Sequence, residues 1–151
     1  VNVCLSKGLS APVGSVLAGP EAFIERARHY RKLFGGGMRQ AGVLAAAGII
    51  ALTEMTERLF EDNENAHALA VGLAGLKGIS IDPRYVQTNI VIFDVSKTGM
   101  TAVEFAEKLK GFGVLASTVG PYAVRFVTHR HISTGDIPKI LKAVREMLSA
   151  A

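Results

Sequence analysis

The chain has 151 residues, of which 49% are hydrophobic and 20% are charged, so it suits one ordinary domain or part of a larger protein, and intrinsic disorder is excluded. Its net charge of +4 includes one short basic stretch, formed by Arg26, Arg28, Arg31, Lys32 and Arg39, and the other basic residues are spread among acids. No aromatic residues are interleaved with the bases in a strand pattern, which argues against nucleic-acid binding. A single cysteine excludes a disulfide framework, and no Cys/His cluster indicates a metal. No apolar run reaches the ~18 residues that a membrane-spanning helix needs. We therefore expect a soluble, cytoplasmic protein with no membrane contact.

The first sixty residues predict two short strands followed by helices. Val1–Leu5 and Val13–Ala18 each resemble a short strand, and a loop rich in Gly, Ser and Pro joins them. A helix is expected from Pro20 to Leu33, because apolar residues recur there at three-to-four spacing. Gly35–Gly37 then interrupts the pattern. Met38–Leu59 is apolar on nearly every face, which predicts a helix buried on most sides, inside a domain or at a subunit contact.

The next segment predicts a helix, two strands and a second helix. The first helix is expected over Asp62–Leu76, and the strands over Ile79–Asp82 and Asn89–Val95. Thr101 precedes Glu104 by three residues, which is the pattern of a capping box at a helix start. The expected core positions of that helix are Val103, Phe105, Ala106 and Leu109.

The last forty residues predict a further strand pair and a closing helix. The strands are expected over Val114–Ala116 and Ala123–Val127, and the helix opens at Ser133–Asp136. Together these elements indicate a mixed α/β (α+β) chain. We expect residues 1–60 to be the end of a larger domain with a connecting helix, and residues 61–151 to form a small α/β sandwich domain.

Lys7 is the residue best placed for chemistry. It lies in a tight Ser/Gly loop between the first two strands, where an amine can be held close to a ligand. Burial or neighbouring positive charge lowers the pKa of an amine, which then attacks carbonyl groups. From spacing alone, a solvent-exposed loop lysine without a function is the more common case.

The residues around Lys7 add a resemblance to that reading. Cys4–Ser15 closely resembles the cofactor-lysine segment of low-specificity threonine aldolases, which are fold-type-I enzymes dependent on pyridoxal 5'-phosphate (PLP). Arg31–Gly42 is a second match at the spacing of that family, and Thr88–Val91 and Val124–His129 also look like family segments. The resemblance covers essentially the whole chain.

The resemblance implies a role for each matching residue. Lys7 would form the imine with PLP, and Arg125 would bind the carboxylate of a β-hydroxy amino acid, although a strand arginine paired with an acid is the plain alternative. Lys32 and Arg39 would meet the cofactor phosphate or a neighbouring subunit's site, with Arg39 also a candidate for substrate binding; a structural interface role is equally open. Gly35–Gly37 either presents amides to an anion or ends a helix.

The implied activity is retro-aldol cleavage of threonine or allo-threonine to glycine and acetaldehyde. The family also implies a homo-oligomer, a dimer or a tetramer. Because a fold-type-I enzyme needs a segment before Lys7, we expect the chain to be a C-terminal portion that is inactive without its N-terminal lobe. Two alternatives stay open: a noncatalytic chain that associates through Met38–Leu59, and another fold-type-I activity such as racemisation or β-elimination.

Overall fold

The computed structural model describes residues 1–150. The chain divides into two compact units, Val1–Leu59 and Phe60–Ala151, and each contains both helices and strands. The mixed α/β class expected from the sequence is therefore confirmed.

The first unit combines a strand pair with two helices. Strand β1 (Asn2–Cys4) pairs antiparallel with β2 (Ser15–Leu17), so the predicted pair is present in shortened form. Helix α1 (Glu21–Leu33) matches its predicted range, and helix α2 (Gly42–Thr53) follows.

Helix α2 differs from its prediction in both length and burial. The predicted range Met38–Leu59 is wrong at each end, because Gln40 takes a left-handed backbone with φ of 53° before the helix begins and the chain turns again after Thr53. Only Gly48 and Ala51 are buried in this helix within residues 1–150, so these residues do not bury it on most sides, and burial at a subunit contact stays a prediction. Its exposed large apolar side chains are Val43, Ile49, Ile50 and Leu52.

A small core connects α2 to the loop between β1 and β2. Its buried members are Leu5, Leu9, Ala11 and Ala51, with Met55 and Leu59 packed against them. Gly48 permits this contact, because a Cβ at that position would lie 3.2 Å from Leu5 Cδ1, which is tighter than ordinary van der Waals contact. The loop around Lys7 therefore has an apolar anchor.

The second unit is a three-stranded antiparallel sheet with helices on one face. Its strand order is β3-β5-β4. The elements, in chain order, are α3 (Leu59–Ala74), β3 (Ile90–Asp94), α4 (Ala102–Lys110), β4 (Ser117–Thr118), β5 (Ala123–Val127) and α5 (Ile137–Ser149).

Two predicted strands are corrected by the structure. Ile79–Asp82 contributes only an isolated bridge between Ser80 and Asp94, because the Asp82 side chain accepts a hydrogen bond from the Arg84 amide and turns the chain. Val114–Ala116 is not a strand, since pairing with β5 begins only at Ser117.

The core of the second unit lies between the sheet and its helices. Its largest fully buried apolar side chains are Phe93, Phe105, Leu69, Leu73, Leu109, Met147, Val91, Val95, Val124 and Val144. The predicted capping box of α4 is present, with both reciprocal bonds between Thr101 and Glu104. Phe105 is fully buried as expected, whereas Val103 is 61% exposed, so its assignment to the core is wrong. The other face of the sheet carries the exposed Ile90, Ile92 and Val127.

Candidate functional site

Lys7 is an exposed side chain on an ordered loop. Its carbonyl accepts a hydrogen bond from the Ser10 amide at 2.8 Å, and Ser10 takes a left-handed backbone with φ of 61°. Leu5 and Leu9, two residues before and after Lys7, are buried. The neighbours of Lys7 are therefore anchored on a defined backbone, while its own amine is exposed.

The Cys4 thiol lies at the base of the same loop. Its Sγ is 3.6 Å from the Ser6 hydroxyl. Hydrogen bonding to Ser6 lowers the pKa of Cys4, with a smaller contribution from the positive charge of Lys7. The charge of Lys7 thus has a small effect on the pKa of the Cys4 thiol. Cys4 is a free cysteine within residues 1–150.

The triple glycine after α1 ends that helix. Gly35 has φ of 82°, and its amide donates to the Lys32 carbonyl at 3.1 Å. The Gly36 amide donates to the Arg31 carbonyl at 2.7 Å. Both amides are therefore hydrogen-bonded at the end of α1. Of the two interpretations of Gly35–Gly37, anion binding or a helix end, this favours the helix end.

Lys32 and Arg39 flank these glycines as exposed cations. Lys32 Nζ lies 3.5 Å from the position that a Cβ on Gly37 would occupy, which is ordinary van der Waals contact. Arg39 lies in the turn before α2. Neither side chain forms an ion pair with an acid in the part of the chain that the structure describes.

Arg125 lies on β5, in the centre of the three-stranded sheet. Val124 and Phe126 on either side of it are buried in the core, so alternation puts Arg125 on the opposite face. Its Nε donates to Ser117 Oγ at 3.0 Å, and its pairing partner on β3 is Ile92. Across residues 1–150 no acid forms an ion pair with Arg125.

A buried polar network holds the end of β5. Thr128, only 2% exposed, donates from Oγ1 to the Asp62 carbonyl at 2.6 Å. Asn89 Nδ2 donates to the Thr128 carbonyl at 2.8 Å, and the Thr128 amide donates to the Asn89 carbonyl at 3.0 Å. This network joins two of the sequence segments singled out above, and it fixes the strand that carries Arg125.

The predicted site residues are divided between the two units. Lys7, Lys32 and Arg39 belong to the first unit, and Arg125 belongs to the second. Sequence reasoning missed Ser117, which orients Arg125, because its strand was predicted three residues too early. Within residues 1–150 the structure contains no cluster of three or more metal-ligating side chains and no helix of the length and hydropathy needed to cross a membrane.

Comparisons with known proteins agree with these features. Residues 1–96 match the family described as beta-eliminating lyase. The chain is 41% identical over 149 residues to low-specificity L-threonine aldolase 1 of Arabidopsis thaliana, covering 98% of this chain and 42% of that protein. It is 38% identical over 148 residues to the low specificity L-threonine aldolase of Escherichia coli K12, again covering 98% of this chain and 42% of that protein.

Solved structures share the fold at low sequence identity. A putative L-allo-threonine aldolase from Listeria monocytogenes superposes with a TM-score of 0.72 at 16% identity, covering 97% of this chain and 44% of that one. An 8-amino-7-oxononanoate synthase from Francisella tularensis also gives 0.72, at 17% identity, with 99% and 45% covered. The chain thus has the fold of part of a fold-type-I enzyme, and it spans about 42% of the length of the first curated relatives that it matches. Because the family match extends over residues 1–96, the chain belongs to the beta-eliminating lyase family.

Proposed function

We propose that this chain is the C-terminal part of a PLP-dependent L-threonine aldolase, which cleaves threonine or allo-threonine to glycine and acetaldehyde. The observation that carries the proposal is the loop of Lys7, an exposed amine between anchored neighbours, which lies within the family match over residues 1–96. The named relatives, 37–41% identical over nearly the whole chain, supply the substrate class.

The residues present suit PLP by their chemistry. PLP carries an aldehyde and a phosphate, and the first unit supplies a primary amine at Lys7 and two cations, Lys32 and Arg39, that form no ion pair within residues 1–150. In this proposal Lys7 Nζ would hold the cofactor through its aldehyde, while Lys32 and Arg39 would bind its phosphate. When bound, PLP withdraws electrons from the Cα of an amino acid and so stabilises negative charge there.

Arg125 orients the substrate in this proposal. A guanidinium group binds a carboxylate through two parallel hydrogen bonds, which a lysine cannot reproduce. Ser117 already holds Nε at 3.0 Å, so less side-chain freedom is lost when the carboxylate binds. Fixing the carboxylate fixes which bond at Cα is aligned for cleavage, and alignment of the Cα–Cβ bond favours loss of the aldehyde over other reactions.

The overall reaction balances without an oxidant. The Cα–Cβ bond of threonine breaks, the β-hydroxyl loses its proton as acetaldehyde forms, and Cα gains a proton to give glycine. Arg125 remains bound to the carboxylate throughout and changes neither its charge nor its bonds.

Attachment at Lys7 is tested in the full-length protein that contains this chain. The protein is incubated with PLP and reduced with borohydride, and the labelled peptide is identified by mass spectrometry. We expect the label on Lys7 and its loss in Lys7→Ala, with Lys139→Ala as the control, since Lys139 lies in α5 and is paired to Asp136 just before that helix. A label on another lysine would contradict the assignment.

The activity is tested by measuring acetaldehyde and glycine from threonine. Arg125→Lys should raise the KM for threonine by about tenfold or more, because a bidentate pair becomes a single contact, while labelling at Lys7 stays unchanged. An unchanged KM would remove Arg125 from the substrate site.

β-Elimination is the second candidate activity, because the matching family is described by that reaction. A panel of threonine, serine and alanine separates the possibilities. The aldolase gives glycine plus an aldehyde, elimination from serine releases ammonia and a keto acid, and racemisation changes only the optical rotation of alanine.

We further propose that the full-length protein is a cytoplasmic homo-oligomer, a dimer or a tetramer. In this proposal the exposed apolar side chains of α2 contact the N-terminal lobe of the full-length protein or a second copy of it. The exposed Val43 and Ile49 support this, because monomeric proteins rarely leave such apolar helix faces uncovered. Light scattering should show an oligomer that dissociates in Ile49→Glu. If that variant keeps the assembly intact, α2 is not the contact. A noncatalytic chain would associate in the same way but release no aldehyde from threonine.

A further inference from the structure

The second unit contains a basic cavity whose lining includes none of the candidate site residues Lys7, Lys32, Arg39 and Arg125. Its volume is about 610 Å³, within the range of small-molecule sites. Four of its lining side chains are cationic and none is acidic; the four are Lys77, Lys97, Lys108 and Arg145. A concave surface that carries one sign of charge concentrates the field and attracts the opposite ion.

Within residues 1–150 these four cations form no ion pairs. The ion pairs of the second unit involve three other basic residues, Arg84, Lys139 and Lys142. Asp94 and Glu104 accept hydrogen bonds from a serine and from the capping threonine, and the charges of Lys97 and Lys108 make only a smaller contribution to the lowered pKa of each carboxyl. Within residues 1–150, the cavity therefore collects positive charges that no carboxylate neutralises at ion-pair distance.

Helix dipoles explain only part of this cluster. A cation in the last turn of a helix offsets the negative end of the dipole, and this accounts for Lys108 in α4. Lys77 follows α3 in a turn, and Lys97 lies in a short 3₁₀ segment between β3 and α4. These two charges lie outside regular helix ends, so their convergence on the cavity needs another reason.

The two loops that carry Lys77 and Lys97 are held together by close packing. Gly78 has φ of 89°, and a Cβ there would lie 2.9 Å from Thr98 Cγ2. Only glycine therefore permits both the backbone conformation and this approach. The cations project from a defined backbone, which reduces the entropy lost when an anion binds.

Apolar residues complete the lining. Met100 is 7% exposed, and Leu76 and Leu148 are partly buried against the core. A site with several cations and an apolar wall suits a ligand with several negative charges and a nonpolar ring. We infer that the cavity binds a small polyphosphorylated molecule of the nucleoside polyphosphate class.

Calorimetric titration of the PLP-saturated full-length protein that contains this chain, with inorganic pyrophosphate and with ATP, tests this inference. We expect saturable binding of one ligand per chain for both probes, with ATP tighter because its ring contacts the apolar wall, and weakening of both as salt screens the charges. The triple variant Lys77→Gln, Lys97→Gln, Lys108→Gln should bind about tenfold or more weakly.

A charge-matched control separates this site from general attraction. Lys110→Gln, Lys139→Gln and Lys142→Gln remove the same charge from exposed positions outside the cavity lining, and this triple variant should bind within about twofold of the parent chain. Amide shifts at Gly78 and Gly99 on addition of pyrophosphate give a second readout that needs no variant. Absent saturation, equal weakening in both triples, or amide shifts elsewhere only would overturn the inference, and none of these results depends on aldolase activity.

Discussion

The contrast between Phe105 and Val103 gives the sharpest test of the packing in the second unit. Both residues lie on α4, both were predicted to be core positions, and the structure buries only Phe105. Phe105 is 0% exposed, and its ring contacts Phe93 edge-on with centroids 5.7 Å apart. Val103 is 61% exposed.

The expected magnitudes follow from these environments. Phe105→Ala removes a fully buried ring and leaves a cavity, which costs about 3–5 kcal/mol, and the lost aromatic contact accounts for about 1 kcal/mol of that cost. Since small domains are stable by about 5–15 kcal/mol, this variant should lose a large share of the free energy of unfolding. Val103→Ala should change the free energy of unfolding by less than about 0.5 kcal/mol, because alanine also has the higher helix propensity.

Urea unfolding followed by circular dichroism measures both variants in the 151-residue chain. Because the two variants are neighbours on one helix, any effect on helix content is shared and the difference reports burial. A Val103→Ala cost above half that of Phe105→Ala would refute the packing described for α4. A Phe105→Ala cost below about 1.5 kcal/mol would also refute it, since truncating a fully buried phenylalanine costs more free energy of unfolding than that.

Three further predictions concern single contacts in the second unit, all measured by urea unfolding. Hydrogen bonds from the capping threonine lower the pKa of Glu104 below 4.5, so this carboxylate stabilises the fold above its unfolded pKa, and that stability is lost as pH falls through the folded pKa. Glu104→Gln should therefore reduce the slope of the free energy of unfolding against pH between about pH 5 and 3. An unchanged slope would contradict the cap. Gly78→Ala should cost about 2–3 kcal/mol from strain and contact, and Gly99→Ala only about 1 kcal/mol, because nothing lies within 4 Å of a Cβ there; equal costs would contradict the close approach. Thr128→Val should cost about 1–3 kcal/mol, because it leaves the buried Asp62 carbonyl without this donor, and a neutral result would mean that water replaces it.

Local patterns in the sequence predicted much of the helical structure. The range of α1 and the capping box of α4 depend on residues three or four apart, so nearby residues specify them. The short strands were less well predicted. Val114–Ala116 has strand propensity, but a strand exists only where a partner supplies hydrogen bonds, and β5 supplies them from Ser117.

The candidate site divides in the same way. Lys7 and Arg125 were selected as candidate site residues from short segments, since each lies in a local motif. Ser117 lies in no sequence motif, so its contact with Arg125 could be found only once its strand was seen to pair with β5. The basic cavity was equally invisible, because its four cations are spread over residues 77–145 and only folding brings them to one surface.

By itself, therefore, the sequence determined the family, the residues with chemical potential and the elements stabilised by neighbours along the chain. Tertiary structure alone decided that Val103 is exposed and Phe105 buried, that Gly48 lets α2 approach the loop of Lys7, and that Arg125 carries no acidic partner among residues 1–150. The physical reason is that burial and pairing depend on distances between residues far apart in the chain, which helix and strand periodicity does not specify.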